Sequence, residues 1–304
     1  MTAEQAMRPV PAADMALHRS RIEEAERRMR RHGWRRRLPR GVHLVLMPLS
    51  VIMALPFVWM VLASFMTNGE INSIPPAIWP HHFYTGGYST VLSSSDFPYW
   101  FVNSLIVSST AVVAQLVLCS LAGYAFARIR FRGSGLTLIV LLATALIPFQ
   151  LTVIPTFLIF HDLKLINTLW ALIVPQLTSA LGIYLMYSFF QSFPVELEEA
   201  GRMDGCNRLA VFWKIVLPLA KPALAALGII TFIYAWNDLF WPLIAINSSH
   251  TYTVQVGLAT FQGEHETQWS AVMAGTVLTT APVLLLFLFG QRRFVQAITG
   301  AVKG

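Results

Sequence analysis

Six long apolar runs constrain this chain more than any other feature. They lie at Leu44–Phe65, Phe101–Phe126, Leu136–Phe160, Thr168–Phe190, Pro222–Ile246 and Ala271–Gly290, each 20 to 26 residues long. Asp238 is the one Asp, Glu, Lys or Arg inside any of them. A helix needs roughly 20 apolar residues to cross a hydrocarbon core of about 30 Å. A backbone in lipid must also satisfy its own hydrogen bonds, so runs of this kind predict membrane-spanning helices. The expected fold class is all-α, a polytopic membrane protein with six transmembrane helices. Composition agrees: 55% of residues are hydrophobic and 12% charged, against about 25% charged in a soluble domain. A water-soluble enzyme, a disordered chain and a disulfide scaffold are thereby excluded.

The charges set the orientation. Of the 22 Lys and Arg residues, eleven precede Gly41. Arg128, Arg130 and Arg132 follow the second run, and Arg202, Arg208, Lys214 and Lys221 follow the fourth. Arg292, Arg293 and Lys303 lie in the tail, which leaves Lys164 alone on the other side. The positive-inside rule then predicts that both termini are cytoplasmic. It also accounts for the net charge of +7 without nucleic acid. The opposite loops are mildly acidic, with Glu70, Asp96, Asp162, Glu264 and Glu266.

Residues 1–43 read as a basic cytoplasmic arm and residues 44–304 as the transmembrane domain. The arm interleaves Glu23, Glu24 and Glu26 with arginines; it reads as a topology anchor on anionic headgroups, with a partner-binding arm as the second reading. It lacks the short apolar core and cleavage site of a secretory signal. Cys119 and Cys206 are far apart, and His81, His82, His250 and His265 show no ligand spacing, so neither a disulfide framework nor a metal site is expected.

One polar stretch, about 193–221, is too patterned for a passive linker. Pro194 suits the first turn of a helix, and Glu196, Glu198 and Glu199 sit near its positive end. Leu197, Ala200 and Gly201 lie on one face, narrow and low in bulk, which permits close approach by another backbone. Asp204-Gly205 signals a turn. A second amphipathic run follows from Leu209 to Leu217, and Pro218 is expected to end it.

This pattern resembles the EAA loop of binding-protein-dependent ABC importer permeases: EAA, three residues, G, nine residues, I, any residue, LP. Here it is Glu199-Ala200-Gly201, Gly205, and Ile215-Val216-Leu217-Pro218, with both gaps kept. Gly201 stands where the family usually has alanine, at a helix-propensity cost of about 1 kcal/mol. WNDLFWPL at Trp236–Leu243 resembles the fifth-span signature of sugar-type permeases. The ending Gln291–Gly304 resembles the C-terminus of maltose-permease-like inner-membrane subunits, with Ala297 in place of the usual glycine and one residue fewer before GAVKG. Asn103-Ser104 and YAFARIRF at Tyr124–Phe131 add to the likeness. It covers Leu44 to Gly304 and leaves out the arm.

The resemblance implies a non-catalytic permease subunit of an ATP-driven carbohydrate importer in a bacterial or archaeal plasma (inner) membrane. It implies a second, different permease subunit, two ATPase subunits and an extracytoplasmic solute-binding protein as partners. No cofactor is expected in this chain; ATP and Mg belong to the ATPases, and no GxxxxGK[ST] phosphate loop occurs here. Glu199, Ala200, Gly201, Asp204, Gly205, Ile215, Leu217 and Pro218 are the implied ATPase-coupling residues, on a cytoplasmic coupling helix. An importer for glycerol phosphate or another polyol shares these motifs and is the alternative.

Four residues are candidates for the solute pathway. Asp238 costs about 3 kcal/mol on insertion scales; with Asn237 it reads as a pathway residue, or else as a carboxylate bonded to a neighbouring helix. Gln150, between Pro148 and Pro155, marks a broken span lining a cavity, or a simple kink. Trp236, like Trp241, suits sugar stacking or an ordinary interfacial position. The competing class, a polytopic membrane enzyme, needs paired acids, a nucleophile with its base, or clustered metal ligands. No run holds two ionisable groups, and neither HExxH nor GxSxG occurs.

Overall fold

A computed structural model describes residues 40–93, 96–129, 131–263 and 267–301, with side chains from 44 to 291. The arm ahead of Arg40, Arg130, the loop positions Glu264, His265 and Glu266, and Lys303 lie outside the described residues, as do the side chains of Arg292, Arg293 and Ala297. The chain up to Phe57 and the chain from Val58 onward form separate compact units. Among the described residues there is no β-strand.

The apolar runs become helices, but only some become single rods. α1 (Arg40–Ala63) opens the chain, and two short helices follow, α2 (Asn68–Ile71) and α3 (Gly86–Ser93). Thr67 and Glu70 cap α2 reciprocally: the Thr67 N–H donates to Glu70 Oε2 at 2.8 Å, and the Glu70 N–H to Thr67 Oγ1 at 3.3 Å. The backbone N–H groups of Thr67 and His81 hold the Glu70 carboxyl below its ordinary value. α4 (Phe97–Arg128) is the long central helix, 32 residues.

The third run is not one straight helix: α5 (Ser134–Thr144) and α6 (Phe149–Asp162) meet at 95°, a break of the kind that Gln150 between Pro148 and Pro155 suggested. Pro148 causes the break: it has no N–H to continue α5 and disfavours helical geometry at the residue before it. Its own backbone is extended, with ψ 135°. Pro155 lies inside α6 without interrupting it.

The fourth run splits into α7 (Leu169–Ile173), a tight turn at Val174–Gln176, and α8 (Ala180–Gln191). Ser179 Oγ accepts from the Gly182 N–H at 2.9 Å and caps α8. α9 (Glu196–Met203), α10 (Arg208–Val211) and α11 (Leu217–Leu219) form the polar loop. The fifth run is also interrupted. α12 (Lys221–Trp236) has 16 residues, roughly 24 Å at 1.5 Å per residue, and Asn237–Leu239 separate it from α13 (Phe240–Ala245). α14 (Val254–Ala259) precedes α15 (Trp269–Ala301), which continues past the expected end at Gly290 for a further 11 residues.

α4 is the hub: it packs along α8 and α12, and α12 packs on α15. α4 and α8 approach closely at Gly123, where a Cβ would stand 2.7 Å from both Met186 Cβ and the Tyr187 nitrogen. Gln115 carries the polar part of the hub. Its Nε2 donates to the Gln176 carbonyl at 2.9 Å, and its Oε1 accepts from Thr231 Oγ1 at 3.0 Å and Ser179 Oγ at 3.1 Å. A satisfied amide therefore joins α4, the break before α8, and α12. The outward faces are apolar, with Leu136, Ile139, Leu151, Ile154, Leu284 and Phe289 exposed, the surface a lipid-facing helix presents.

The loops after the first, third and fifth runs gather at one end. Asn167 Oδ1 accepts from the Asn247 N–H at 3.0 Å and the Ser248 N–H at 2.9 Å. Asn103 Nδ2 donates to the carbonyls of His250 and Tyr252, and Ser104 Oγ accepts from the Val254 N–H. Asn68 Oδ1 accepts from the Ser270 N–H where α15 begins. The end of α4 and the loop after α8 meet at the opposite end.

Candidate functional site

The polar loop folds as two arms joined by a turn. α9 forms the first arm, and Gly205 turns the chain with φ +82°, a conformation that disfavours any Cβ. Asn207 then caps α10 by accepting from the Ala210 N–H at 2.8 Å. A widened π turn at Phe212–Val216 leads into α11. The second arm does not stop at Pro218, as its sequence suggested. Pro218 opens α11, where its missing N–H costs nothing, and the 78° bend falls after Leu219.

The two ends of the motif touch. A Cβ built on Gly201 would lie 2.5 Å from Ile215 Cδ1 and 3.4 Å from Val211 Cγ2. Gly201 is buried against the loop's own second arm, which corrects the expectation that it offers a small face to an outside backbone. Ile215 and Leu217 are half-buried. Glu199, Ala200, Asp204, Gly205 and Pro218 remain exposed. Nothing lies within 4 Å of a Cβ at Gly205, so backbone conformation alone favours glycine there.

Glu198, not one of the expected coupling residues, is the buried acid of α9. Its side chain is 4% exposed, and Oε1 lies 2.9 Å from Arg128 Nε. That contact is an ion pair without an aligned N–H, since neither atom completes a hydrogen bond. Tyr124 O–H donates to Glu198 Oε2 at 3.0 Å, and Arg128 Nη2 donates to the Phe193 carbonyl. Phe212 of the second arm lies 5.0 Å from the Tyr124 ring, and Phe190 lies 5.8 Å from it on edge. Both arms are thus tied to the ends of α4 and α8. Tyr124 lies 74 positions before Glu198, so no local spacing in the sequence links them.

The pathway candidates separate. Trp236 is core: it is 1% exposed, stacks on Phe232 at 5.4 Å and donates Nε1–H to the Thr279 carbonyl. Trp241 is core as well, donating to the Ala171 carbonyl between Phe149 and Phe160. Neither ring offers a free face for a sugar. Gln150 is exposed in the first turn of α6, just past the break. Asp238 lies in the break after α12, facing the N–H groups of Phe240 and Trp241, with Gln176 Nε2 at 3.5 Å. Those amides explain how a lone acid is tolerated in an apolar run.

Asn237 points elsewhere, into a cleft of about 220 Å³ with Gln255, Thr276, Thr279 and Thr280. Gln255 Nε2 reaches Asn237 Oδ1 at 3.4 Å. The expectation picked out Asn237 and missed the other four, which are scattered over two later helices and carry no local motif. Among the described residues no three His, Cys, Asp or Glu side chains are grouped to hold a metal.

Residues 115–300 match the family of binding-protein-dependent transport system inner membrane components. The arabinooligosaccharides transport system permease protein of Halalkalibacterium halodurans is 32% identical over 260 residues, 84% of this chain and 93% of that protein. The lactose transport system permease protein of Rhizobium radiobacter is 32% identical over 270 residues, 88% and 98% of the two chains. The crystal structure of a bacterial ABC transporter involved in the import of the acidic polysaccharide alginate superposes with a TM-score of 0.72 at 25% identity, over 83% of this chain and 95% of that one. The family match spans α8, the two-armed loop, the cleft and α15, and the chain therefore belongs to the binding-protein-dependent transport system inner membrane components, as a multi-pass ABC transporter permease.

Proposed function

We propose that this permease forms half of the transmembrane pathway of an ATP-driven importer for a carbohydrate, paired with a second, different permease. The observation that carries the coupling assignment is the loop itself. Its inner side is anchored to α4 and α8, and its outer side leaves Glu199, Ala200, Asp204, Gly205 and Pro218 free for an ATPase. Two ATPase subunits would hold ATP and Mg, and an extracytoplasmic binding protein would deliver solute. In this reading the chain crosses the membrane six times, both termini are cytoplasmic, residues 1–43 form an arm at the inner surface and 44–304 the transmembrane domain.

The cleft favours a neutral, hydroxylated solute. Its polar groups are two amides and three threonines, with no Lys or Arg among its described residues; recognition of a phosphate calls for charge-assisted donors. That weighs against glycerol phosphate. The test is uptake into proteoliposomes holding the full complex and its binding protein, with labelled lactose, an arabino-oligosaccharide and glycerol phosphate as probes. ATP-dependent uptake of a neutral sugar is expected. Uptake of glycerol phosphate alone would overturn the carbohydrate assignment.

A further inference from the structure

A loop pushed by an ATPase moves the membrane helices only if it cannot fold away from them. α9 and α10 have eight and four residues, far too short to be stiff in water by themselves. Rigidity must therefore come from attachments. The exposed residues of the family motif face away from the membrane helices, so they cannot supply it. The buried polar contacts from α9 to the membrane helices converge on one side chain, Glu198.

From this geometry we infer that Glu198, with Tyr124 and Arg128, is the joint through which the loop drives α4 and α8. This inference rests on the coupling assignment above. Glu198 is a positioning residue: it touches neither ATP nor solute. Its two oxygens receive two different parts of α4, Tyr124 at 3.0 Å and Arg128 at 2.9 Å. Arg128 in turn donates to the Phe193 carbonyl at the exit of α8. Three segments are thereby held by one buried carboxylate: the end of α4, the exit of α8, and α9. Phe212 against Tyr124 adds the second arm. A charged pair with little exposure also resists sliding, because displacement would leave both charges unpaired and desolvated. An apolar contact of the same size would tolerate slip.

The test separates ATP turnover from movement in the assembled complex with its partner permease and ATPases in nanodiscs. An Asn237→Cys reporter in a Cys206→Ser background is labelled with a small maleimide, with ATP and without. The parent should show an ATP-dependent change in labelling rate. In Glu198→Ala the ATPase should stay bound and turn over ATP, while that change shrinks roughly fivefold, the scale of coupling losses away from binding sites. Glu198→Gln keeps an acceptor for Tyr124 and loses the ion pair, and should fall between; it also carries the test if the alanine variant fails to assemble.

An unaltered labelling change in assembled Glu198→Ala and Glu198→Gln complexes would overturn the joint. Loss of the ATPase from both variants would also overturn it, placing Glu198 in the docking surface while leaving the coupling assignment intact. A parent complex with no ATP-dependent change would overturn the coupling assignment and the joint with it.

Discussion

The contact between Gly201 and Ile215 gives a prediction whose size follows from geometry. Gly201→Ala adds a Cβ 2.5 Å from Ile215 Cδ1, where carbon atoms ordinarily stand at about 3.5–4.0 Å. Ile215 Cδ1 must retreat by more than 1 Å. It is the far end of a flexible side chain, and an off-rotamer torsion costs about 0.5–1.5 kcal/mol. Against this, alanine is favoured over glycine in a helix interior by up to about 1 kcal/mol. The two terms nearly cancel, so Gly201→Ala alone should shift loop stability by less than about 1 kcal/mol in either direction.

Ile215→Val removes the offending methyl and alone should cost about 0.5–1.5 kcal/mol. In the double variant the new Cβ fills the space that the methyl left. The clash disappears, the void shrinks, and the helix gain remains. The pair should then be more stable than the sum of its parts by roughly 1 kcal/mol, within the range of contacting residues. The assay is amide hydrogen exchange over residues 196–219 of the detergent-solubilised chain, which reads local opening free energy. Additivity within about 0.3 kcal/mol would refute the contact, as would a loss above about 2 kcal/mol in Gly201→Ala alone, since a terminal methyl cannot enforce it.

Gly205→Asn should be tolerated and Gly205→Val should not, because asparagine enters the left-handed region far more readily. Space at Gly205 is open, so a loss of bound ATPase in Gly205→Asn, measured by co-purification, would show that an outside partner packs there. Asp238→Asn should leave folding nearly intact, because the asparagine oxygen can still accept from the Phe240 and Trp241 N–H groups; its uptake rate or selectivity should change, and normal transport would remove Asp238 from the pathway. For orientation, His82→Cys should be labelled from outside and Ser192→Cys should not, with outside labelling of Ser192→Cys refuting the six-crossing arrangement. His82 suits this better than Gly86, where a side chain would strike the Tyr84 ring. The folded Glu70 carboxyl sits below its unfolded value, so the cap on α2 is present at neutral pH and lost as pH falls through the acid range. Exchange protection of the Thr67 and His81 N–H groups, taken relative to their intrinsic rates, should fall in acid, and Glu70→Gln should remove that dependence.

What the sequence hid has one physical source. Hydropathy counts apolar side chains along the chain, and helical breaks leave that count almost unchanged. Leu136–Phe160 has the same mean hydropathy whether α5 and α6 are collinear or meet at 95°; only Pro148 marks the bend, and Pro155 looks the same on paper yet lies inside a helix. The break before α8 carries no stronger local sign. It is held by Gln115 of another helix, through Ser179 and the Gln176 carbonyl. Pairings between residues of separate helices follow no spacing rule, which is why the cleft and the Glu198 joint were not legible while the loop motif was. The motif is local and its spacing is fixed by two short helices and a turn.

The breaks also place polar groups inside apolar runs. An intact helix in lipid has no spare backbone donors or acceptors, so it cannot greet a hydroxylated solute without side chains dedicated to that task. At Asn237–Leu239 the ladder stops, and Asp238 faces the amides that begin α13 while Asn237 turns into the cleft. The break before α8 lies beside it through Gln176. Two interruptions on neighbouring spans are therefore joined by one run of hydrogen bonds, from the Gln115 amide to the Gln176 carbonyl and from the Gln176 amide to the Asp238 carboxylate. A shift of α4 driven from its far end, at Tyr124 and Arg128, acts on the same helix that carries Gln115. Loop and cleft need no separate wire: α4 holds the loop through Tyr124 and Arg128 and packs on α12 and α14, which border the cleft.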